Sequence, residues 1–167
     1  MIKRAFTLVE ILVSVVLLGL ISIFTSSLIY QTNDNNKIYE KKVKEISKVD
    51  TVIDTLYRDI LQSTSNDIKS YNRYSILKLK SKNSLYGIEE PYISWLVLKQ
   101  DNTLVRLESA SKITLPLKNE LLANVFMDKA LTSCEHFSIN LSKDKKSILS
   151  FIKLKDKKPI IFEIVNL

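Results

Sequence analysis

The sequence predicts an α+β fold in which one long N-terminal helix packs on an antiparallel β-sheet. Two observations predict it: an uncharged, largely apolar run from Ile11 to Asn33 with helix-periodic residues after it, and a second half of short β-forming segments separated by turns. The 167 residues suffice for one modest domain plus an appendage. With only two glycines and three prolines, the chain favours a long helix and hairpins turned by Asn, Asp and Lys.

The apolar run is long enough to cross a membrane. At about 1.5 Å per residue, about 20 helical residues cover the ~30 Å hydrocarbon core of a bilayer. Hydroxyl side chains within the run are tolerated because each can bond the carbonyl four residues back in the helix. These hydroxyl residues are Ser14, Ser22, Thr25, Ser26 and Ser27. The sequence therefore predicts a transmembrane helix, assigned to residues 6–30, as the first half of the long helix.

Basic residues on one side of the run predict its orientation. Lys3 and Arg4 precede it and no basic residue follows until Lys37, so the N-terminus stays in the cytoplasm and the rest crosses the membrane. A cleaved secretory signal is one alternative, with Thr25–Ser27 as a candidate cleavage site. Such a signal favours a shorter apolar core, whereas this run continues through Leu28–Tyr30. A plain signal anchor is the other alternative, and it leaves the carboxylate of Glu10 unexplained.

Glu10 lies at the start of the apolar stretch. A charged residue inside a membrane segment costs about 2.5–3.5 kcal/mol on insertion scales and marks a functional position by default. The alternative is a carboxylate that sits at the level of the cytoplasmic headgroups.

The residues around Glu10 resemble a known processing motif. The run from Lys3 to Glu10 (KRAFTLVE) is similar to that of type IV pilins and type II secretion pseudopilins, in which a basic leader ends in a small residue, a phenylalanine begins the mature chain and a glutamate follows four residues later. The resemblance implies a leader of residues 1–5, cleavage between Ala5 and Phe6 by a prepilin peptidase, and N-methylation of Phe6. Two departures are Ala5, where glycine is usual, and Ser27, near which many members carry a proline that kinks the helix.

The same resemblance implies a role in assembly for Glu10 and Phe6. In the family, the glutamate faces the free amino group of a neighbouring subunit's first residue, and such pairing offsets the cost of a carboxylate in lipid. The implied partners are other major and minor pilins or pseudopilins, the prepilin peptidase and inner-membrane lipid. The implied location is the inner membrane, with one transmembrane pass, a C-terminal domain in the periplasm and assembly into a pilus or pseudopilus.

A second helical pattern follows the membrane segment. Apolar residues from Ile38 to Leu61 recur at intervals of three and four, which predicts an amphipathic helix over residues 31–64 that continues into the globular part. The polar segment Gln31–Asn36 has poor helix propensity and predicts either a local loosening or an N-cap that starts a second helix. We expect the helix to end near Ser63–Asn66.

Residues 65–167 are predicted to form an antiparallel sheet domain outside the cytoplasm. Its β-forming segments are Tyr71–Leu79, Tyr92–Lys99, Leu104–Glu108, Ile148–Leu154 and Ile160–Val165. The last two predict a hairpin joined by Lys155–Pro159. Asn119–Leu131 is ambiguous and compatible with a short helix.

Part of this domain resembles a subtype of the family. Ile93–Leu98, its turn and Leu104–Arg106 are similar to a hairpin of J-type minor pseudopilins and W-type minor pilins, and Leu121–Val125, leading to Phe137, is similar to their next block. The resemblance implies a minor subunit.

Cys134 and His136 are the only cysteine and the only histidine of the chain. Strand alternation predicts that they share one face, with Phe137, Ile139 and Leu141 on the other. A nucleophilic cysteine needs a base oriented by a third group, and metal sites need three or four ligands. An ordinary strand is therefore the favoured interpretation, and we predict no enzyme, catalytic residue, metal or cofactor.

The formal net charge of +7 is compatible with acidic proteins, lipid headgroups or nucleic acid as partners. Lysines gather near the last predicted hairpin: Lys143, Lys145, Lys146, Lys153, Lys155, Lys157 and Lys158. DNA is a candidate ligand because phosphate contacts need clustered cations. Asp144 and Asp156 interrupt the cluster and aromatic residues are scarce nearby, so lysines that protect a solvated hairpin edge are favoured.

Three functions follow from the sequence. The first is a minor structural subunit that helps to initiate or cap a pilus or pseudopilus, for type II protein secretion or type IV pilus assembly. The second is a DNA-binding or DNA-uptake (competence) minor pilin, and the third an ordinary signal-anchored periplasmic enzyme. Glu10, four residues after Phe6, favours the first two over the third.

Overall fold

The computed structural model describes residues 7–115, 124–143 and 146–165. These residues form one α-helix, α1 (Leu8–Leu61), and eight strands. The strands are β1 (Ser63–Tyr71), β2 (Tyr74–Ser81), β3 (Tyr92–Leu98), β4 (Thr103–Ser109), β5 (Phe126–Leu131), β6 (Cys134–Leu141), β7 (Ser147–Leu154) and β8 (Ile160–Val165). The α+β, pilin-like fold class predicted from the sequence is confirmed.

Helix α1 is continuous through Gln31–Asn36, so the predicted loosening or second N-cap there is wrong. The hydroxyl of Thr32 donates a hydrogen bond to the carbonyl of Leu28 at 2.8 Å. One turn further on, Lys37 Nζ lies 3.7 Å from Asp34 Oδ1 and forms an ion pair with it. Low propensity costs at most about 0.7 kcal/mol per ordinary residue. With no proline or glycine in this segment, that penalty does not end the helix. The helix ends at Leu61, two residues before the predicted stop.

The first part of α1 is long and apolar enough to cross a membrane. Its hydroxyls bond carbonyls one turn back, as expected for a helix in an apolar medium: Ser14 to Glu10, Ser22 to Leu18 and Thr25 to Ile21, at 2.7–2.8 Å. The chain divides into two compact units, Met1–Lys48 and Val49–Leu167. The end of α1 thus belongs to the same unit as the sheet.

The eight strands form one sheet with the order β5-β4-β3-β2-β6-β7-β8, and β1 pairs with β2 beside this path. All pairings are antiparallel except a single parallel bridge between Tyr74 of β2 and Phe137 of β6. Trp95 of β3 lies opposite Arg106 of β4, which in turn lies opposite Asp128 of β5. This register places three polar or charged groups side by side across three strands.

The main core lies between the end of α1 and one face of the sheet. Val52, Leu56 and Ile60 recur every four residues and pack with strand residues that include Leu77 and Phe137. A smaller cluster of Val105, Leu107 and Ile113 covers the other face of β4. Every residue of β4 is therefore buried, including its charged ones.

The structure confirms strands β3 and β4 and the hairpin of β7 and β8. The predicted strand Tyr71–Leu79 is instead broken at Asn72, which turns at φ +42° and joins β1 to β2. Strand β1 was not predicted because it is polar and mostly exposed, and so lacks the alternation that indicates a half-buried strand. Within the ambiguous segment Asn119–Leu131, Phe126–Leu131 is strand β5, while residues 116–123 lie outside the described residues.

Candidate functional site

Thr7 and Glu10 form a reciprocal cap at the start of α1. The backbone N–H of Thr7 donates to Glu10 Oε2 at 2.9 Å, and the Thr7 hydroxyl donates to the same oxygen at 3.0 Å. In return, the backbone N–H of Glu10 donates to Thr7 Oγ1 at 3.3 Å. This is a capping box, which satisfies backbone donors that a helix start leaves unpaired. Its Thr-x-x-Glu signature, Thr7 to Glu10, is present in the sequence and could have predicted the cap.

The cap engages only one oxygen of the Glu10 carboxylate. Among the described residues, Oε1 accepts no hydrogen bond, and the side chain is exposed. The described residues therefore leave one carboxylate oxygen of Glu10 available as an acceptor. Ala5 and Phe6, the predicted cleavage and methylation residues, lie outside the described residues.

A second polar centre is buried where the end of α1 meets the sheet. Asp59, Arg106 and Glu108 are each at most 1% exposed. Arg106 donates to Asp59 through Nε at 2.8 Å and Nη2 at 3.1 Å, and it donates to Glu108 through Nη1. We call these three residues the charge triad.

Neighbouring residues complete the hydrogen bonding of the triad carboxylates. Trp95 Nε1 donates to Asp59 Oδ2 at 2.8 Å and Asn83 Nδ2 donates to Asp59 Oδ1 at 2.7 Å. Glu108 accepts from the Ser84 hydroxyl and from the backbone N–H of Leu85, the latter at 3.1 Å. The triad thus joins α1, strands β3 and β4, and the loop between β2 and β3 through charge-assisted bonds.

The surroundings of Arg106 and Glu108 favour the charged form of each side chain. Burial acts to raise the pKa of Glu108, but the hydrogen bonds from Ser84, Arg106 and Leu85, with the positive charge of Arg106, lower the pKa below its usual value. Burial likewise acts to lower the pKa of Arg106, and the bonds and charges of Asp59 and Glu108 raise it overall. Arg106 and Glu108 are therefore both charged at neutral pH.

The charge triad was not predicted from the sequence. Arg106 and Glu108 alternate with apolar residues on β4, which resembles a strand with one solvated face. The usable signal was Asp59, which stands between Leu56 and Ile60 on the apolar stripe of α1. A charged residue on such a stripe is almost never fully buried unless it is paired.

Cys134 and His136 do not share a face, contrary to the prediction from strand alternation. A register shift between them, a β-bulge against β7, turns Cys134 into the main core beside Phe137 and Ile139. His136 instead packs edge-on against the ring of Phe151, with the ring centroids 4.9 Å apart. Burial raises the pKa of the Cys134 thiol to about 11, so it is neutral and a poor nucleophile at neutral pH.

The lysines predicted to gather near the last hairpin fall into two groups. Lys143 and Lys146 precede β7, whereas Lys155, Lys157 and Lys158 follow it. Eight strand residues at about 3.3 Å each separate the groups by roughly 26 Å. Lys145 lies outside the described residues, and Lys153 donates to the backbone carbonyl of Lys157. The hairpin therefore presents no single compact cluster of these cations.

The described fold defines an α+β protein whose N-terminal helix is long and apolar enough to cross a membrane. No protein-family model, curated protein or solved structure matches this chain. Within the described ranges, no group of three or more His, Cys, Asp and Glu side chains is placed to hold a metal ion.

Proposed function

We propose that this chain is a minor pilin-like structural subunit that helps to initiate or cap a pilus or pseudopilus, in type II protein secretion or type IV pilus assembly. The observation that carries the proposal is Glu10, a carboxylate held at the start of a long apolar helix with one oxygen free of the described residues. It is the only charged residue between Arg4 and Asp34. An unpaired carboxylate is costly in a membrane, and a cation from a neighbouring subunit would offset much of that cost.

The cap found at Thr7 supports this assignment. It fixes the Glu10 side chain over the first turn of α1, which reduces the rotamer entropy that an intersubunit ion pair would otherwise have to overcome. In the proposed fibre, the amino group of a neighbour's Phe6 approaches Oε1 while Thr7 holds Oε2. Cleavage between Ala5 and Phe6 creates that amino group.

The proposal also assigns a location and partners. The chain crosses the inner membrane once, carries its sheet domain in the periplasm, and contacts other major and minor pilins or pseudopilins. The leader of residues 1–5 is removed by a prepilin peptidase. The lysines on either side of β7 are not part of this assignment, because their separation favours solvated strand ends over one binding surface.

Processing at Ala5 tests the proposal. In cells with an active prepilin peptidase, the wild-type chain should lose residues 1–5, and Ala5→Gly, which restores the residue usual in the family, should be cut equally well or better. Ala5→Leu should remain uncut because a bulky side chain occupies the small-residue position before the cleaved bond. Gel mobility and intact mass, compared with and without the peptidase, provide the measurement. A wild-type chain of the same mass in both strains would rule out the proposed processing.

A further inference from the structure

A cleft opens where strands β2 and β3 separate. Their antiparallel ladder ends at Leu77 and Trp95, although β3 continues to Leu98. Beyond that point, β2 forms its parallel bridge to β6 through Tyr74 and Phe137. The cleft has a volume of about 640 Å³, within the range of roughly 300–1,000 Å³ that is typical of ligand pockets. Its lining is mostly apolar and includes Tyr71, Arg73, Ile76, Leu96, Val97 and Lys99.

The edge of β3 that faces the cleft lacks a partner on β2. Across the β2–β3 ladder, the N–H of Ser81 donates to the carbonyl of Pro91 at 3.1 Å. Backbone groups alternate sides along a strand, so every second residue of β3, counted from Pro91, directs its backbone groups toward β2. Val97 is the next such residue beyond Trp95, and it pairs with Leu104 of β4 but with no residue of β2. One backbone donor and one backbone acceptor of Val97 therefore lie at the cleft without a partner on β2.

Two cationic side chains line the cleft, one from each strand. Arg73 precedes β2, Lys99 follows β3, and both residues are exposed. Within the described ranges, neither side chain forms an ion pair or a hydrogen bond. The acidic residues of the adjoining elements do not pair with them: Asp101 lies 3.9 Å from Lys129 instead, and Glu135 of β6 is in no ion pair of the described residues. The described residues thus leave both cations without a compensating carboxylate.

We propose that this cleft binds an extended, acidic peptide segment of a partner protein. The segment places an apolar side chain between Ile76 and Leu96, and its carboxylate lies between Arg73 and Lys99, where the charges are complementary. Its backbone pairs with the N–H and C=O of Val97 and so continues the β3 ladder where β2 departs from it.

The unpaired strand edge favours a peptide over other anions. A peptide backbone supplies both an acceptor for the N–H of Val97 and a donor for its C=O, whereas a small organic acid or a phosphate supplies only the acceptor. The inference rests on the cleft alone and does not depend on the proposed role in fibre assembly.

Fluorescein-labelled pentapeptides test the cleft on the full-length chain in detergent micelles. The capped peptide Val-Glu-Val-Thr-Val should bind at least about fivefold more tightly than Val-Gln-Val-Thr-Val, which has nearly the same shape without the charge, as measured by fluorescence polarisation. The Glu peptide with N-methylated backbone amides should bind at least about fivefold more weakly, because it cannot pair as a strand. This comparison uses the wild-type protein and is independent of how any variant folds.

Variants then locate the binding site. Arg73→Gln and Lys99→Gln should each weaken the Glu peptide about fivefold, and the double variant should bind the Glu and Gln peptides equally. Lys158→Gln, an exposed lysine in the β7–β8 turn, is the matched control and should leave binding unchanged.

Four outcomes would each overturn the inference. They are equal binding of the Glu and Gln peptides to the wild-type chain, continued discrimination between them by the double variant, an equal effect of Lys158→Gln, and tighter binding of a short oligodeoxythymidylate than of the Glu peptide. The last outcome would indicate a nucleic-acid site instead. Absent cleavage between Ala5 and Phe6 would overturn the proposed function and leave the peptide result standing.

Discussion

Replacing Arg106 with alanine should lower the free energy of unfolding by about 3–5 kcal/mol, since removing one partner of a buried charge network leaves the others uncompensated. Asp59 and Glu108 would then be left as buried carboxylates without their guanidinium. Trp95 is the only tryptophan and donates to Asp59, so its fluorescence reports the loss of this centre directly. Urea titration of the full-length chain in detergent micelles measures the change.

Arg58→Ala is the matched control for Arg106→Ala. Arg58 pairs with Asp54 at 2.9 Å, but both side chains are more than half exposed, so its loss should cost only about 0–1 kcal/mol. Equal effects of the two arginine variants would show that the triad does not stabilise the fold.

The charge triad should also make stability depend on pH. The pKa of Glu108 is lowered on folding, so its stabilising contribution is full above its unfolded pKa and is lost as the pH falls through the folded pKa.

Replacing Glu10 with leucine should abolish most assembly while leaving membrane insertion unchanged or improved. The variant removes the only charged residue between Arg4 and Asp34, a group that costs up to about 2.5–3.5 kcal/mol in the membrane when unpaired. It also removes the proposed acceptor for a neighbour's amino group, and about 1.4 kcal/mol of lost pairing already reduces association about tenfold. Cross-linking to partner pilins in cells, with piliation or secretion assays, measures the result.

Two further variants separate the charge of Glu10 from its role in the cap. Glu10→Gln keeps a side chain that can complete the capping box but removes the charge, whereas Thr7→Val removes the capping hydroxyl and keeps the charge. We expect Glu10→Gln to lose cross-links as Glu10→Leu does, and Thr7→Val to retain most of them. If Thr7→Val lost the cross-links and Glu10→Gln kept them, Glu10 would act only in helix capping. Wild-type cross-linking in all three would mean that the carboxylate sits incidentally at the headgroups.

The helix and most of the sheet could be predicted from the sequence because their patterns are strong. An uncharged run of about 20 residues and apolar spacing of three and four specify α1, and the alternating segments around Tyr92 and Ile160 specify strands. Low helix propensity was a weaker indicator than these patterns: it predicted a break at Gln31–Asn36, where the helix in fact continues. The polar strand β1 carries no pattern of its own and forms because β2 pairs with it from Tyr71 back to Ser63.

The candidate sites were harder to predict because they depend on tertiary register. Asp59 and Arg106 are 47 residues apart in the chain and meet only when α1 lies over β3 and β4. The bulge that separates Cys134 from His136 changes which residues face the core, and strict alternation cannot reveal it. Glu10 was singled out from the sequence because a carboxylate next to a long apolar run is unusual, and its role in assembly stays a prediction.

The mature N-terminus of the native protein tests the central claim most directly. Mass spectrometry of the chain purified from its own membranes should find N-methylated phenylalanine, Phe6, as the first residue, with residues 1–5 absent. In the proposed fibre, that terminus supplies the cation for the free oxygen of a neighbour's Glu10. An intact Met1 in cells with an active prepilin peptidase would contradict the assignment of this chain as a pilin-like subunit.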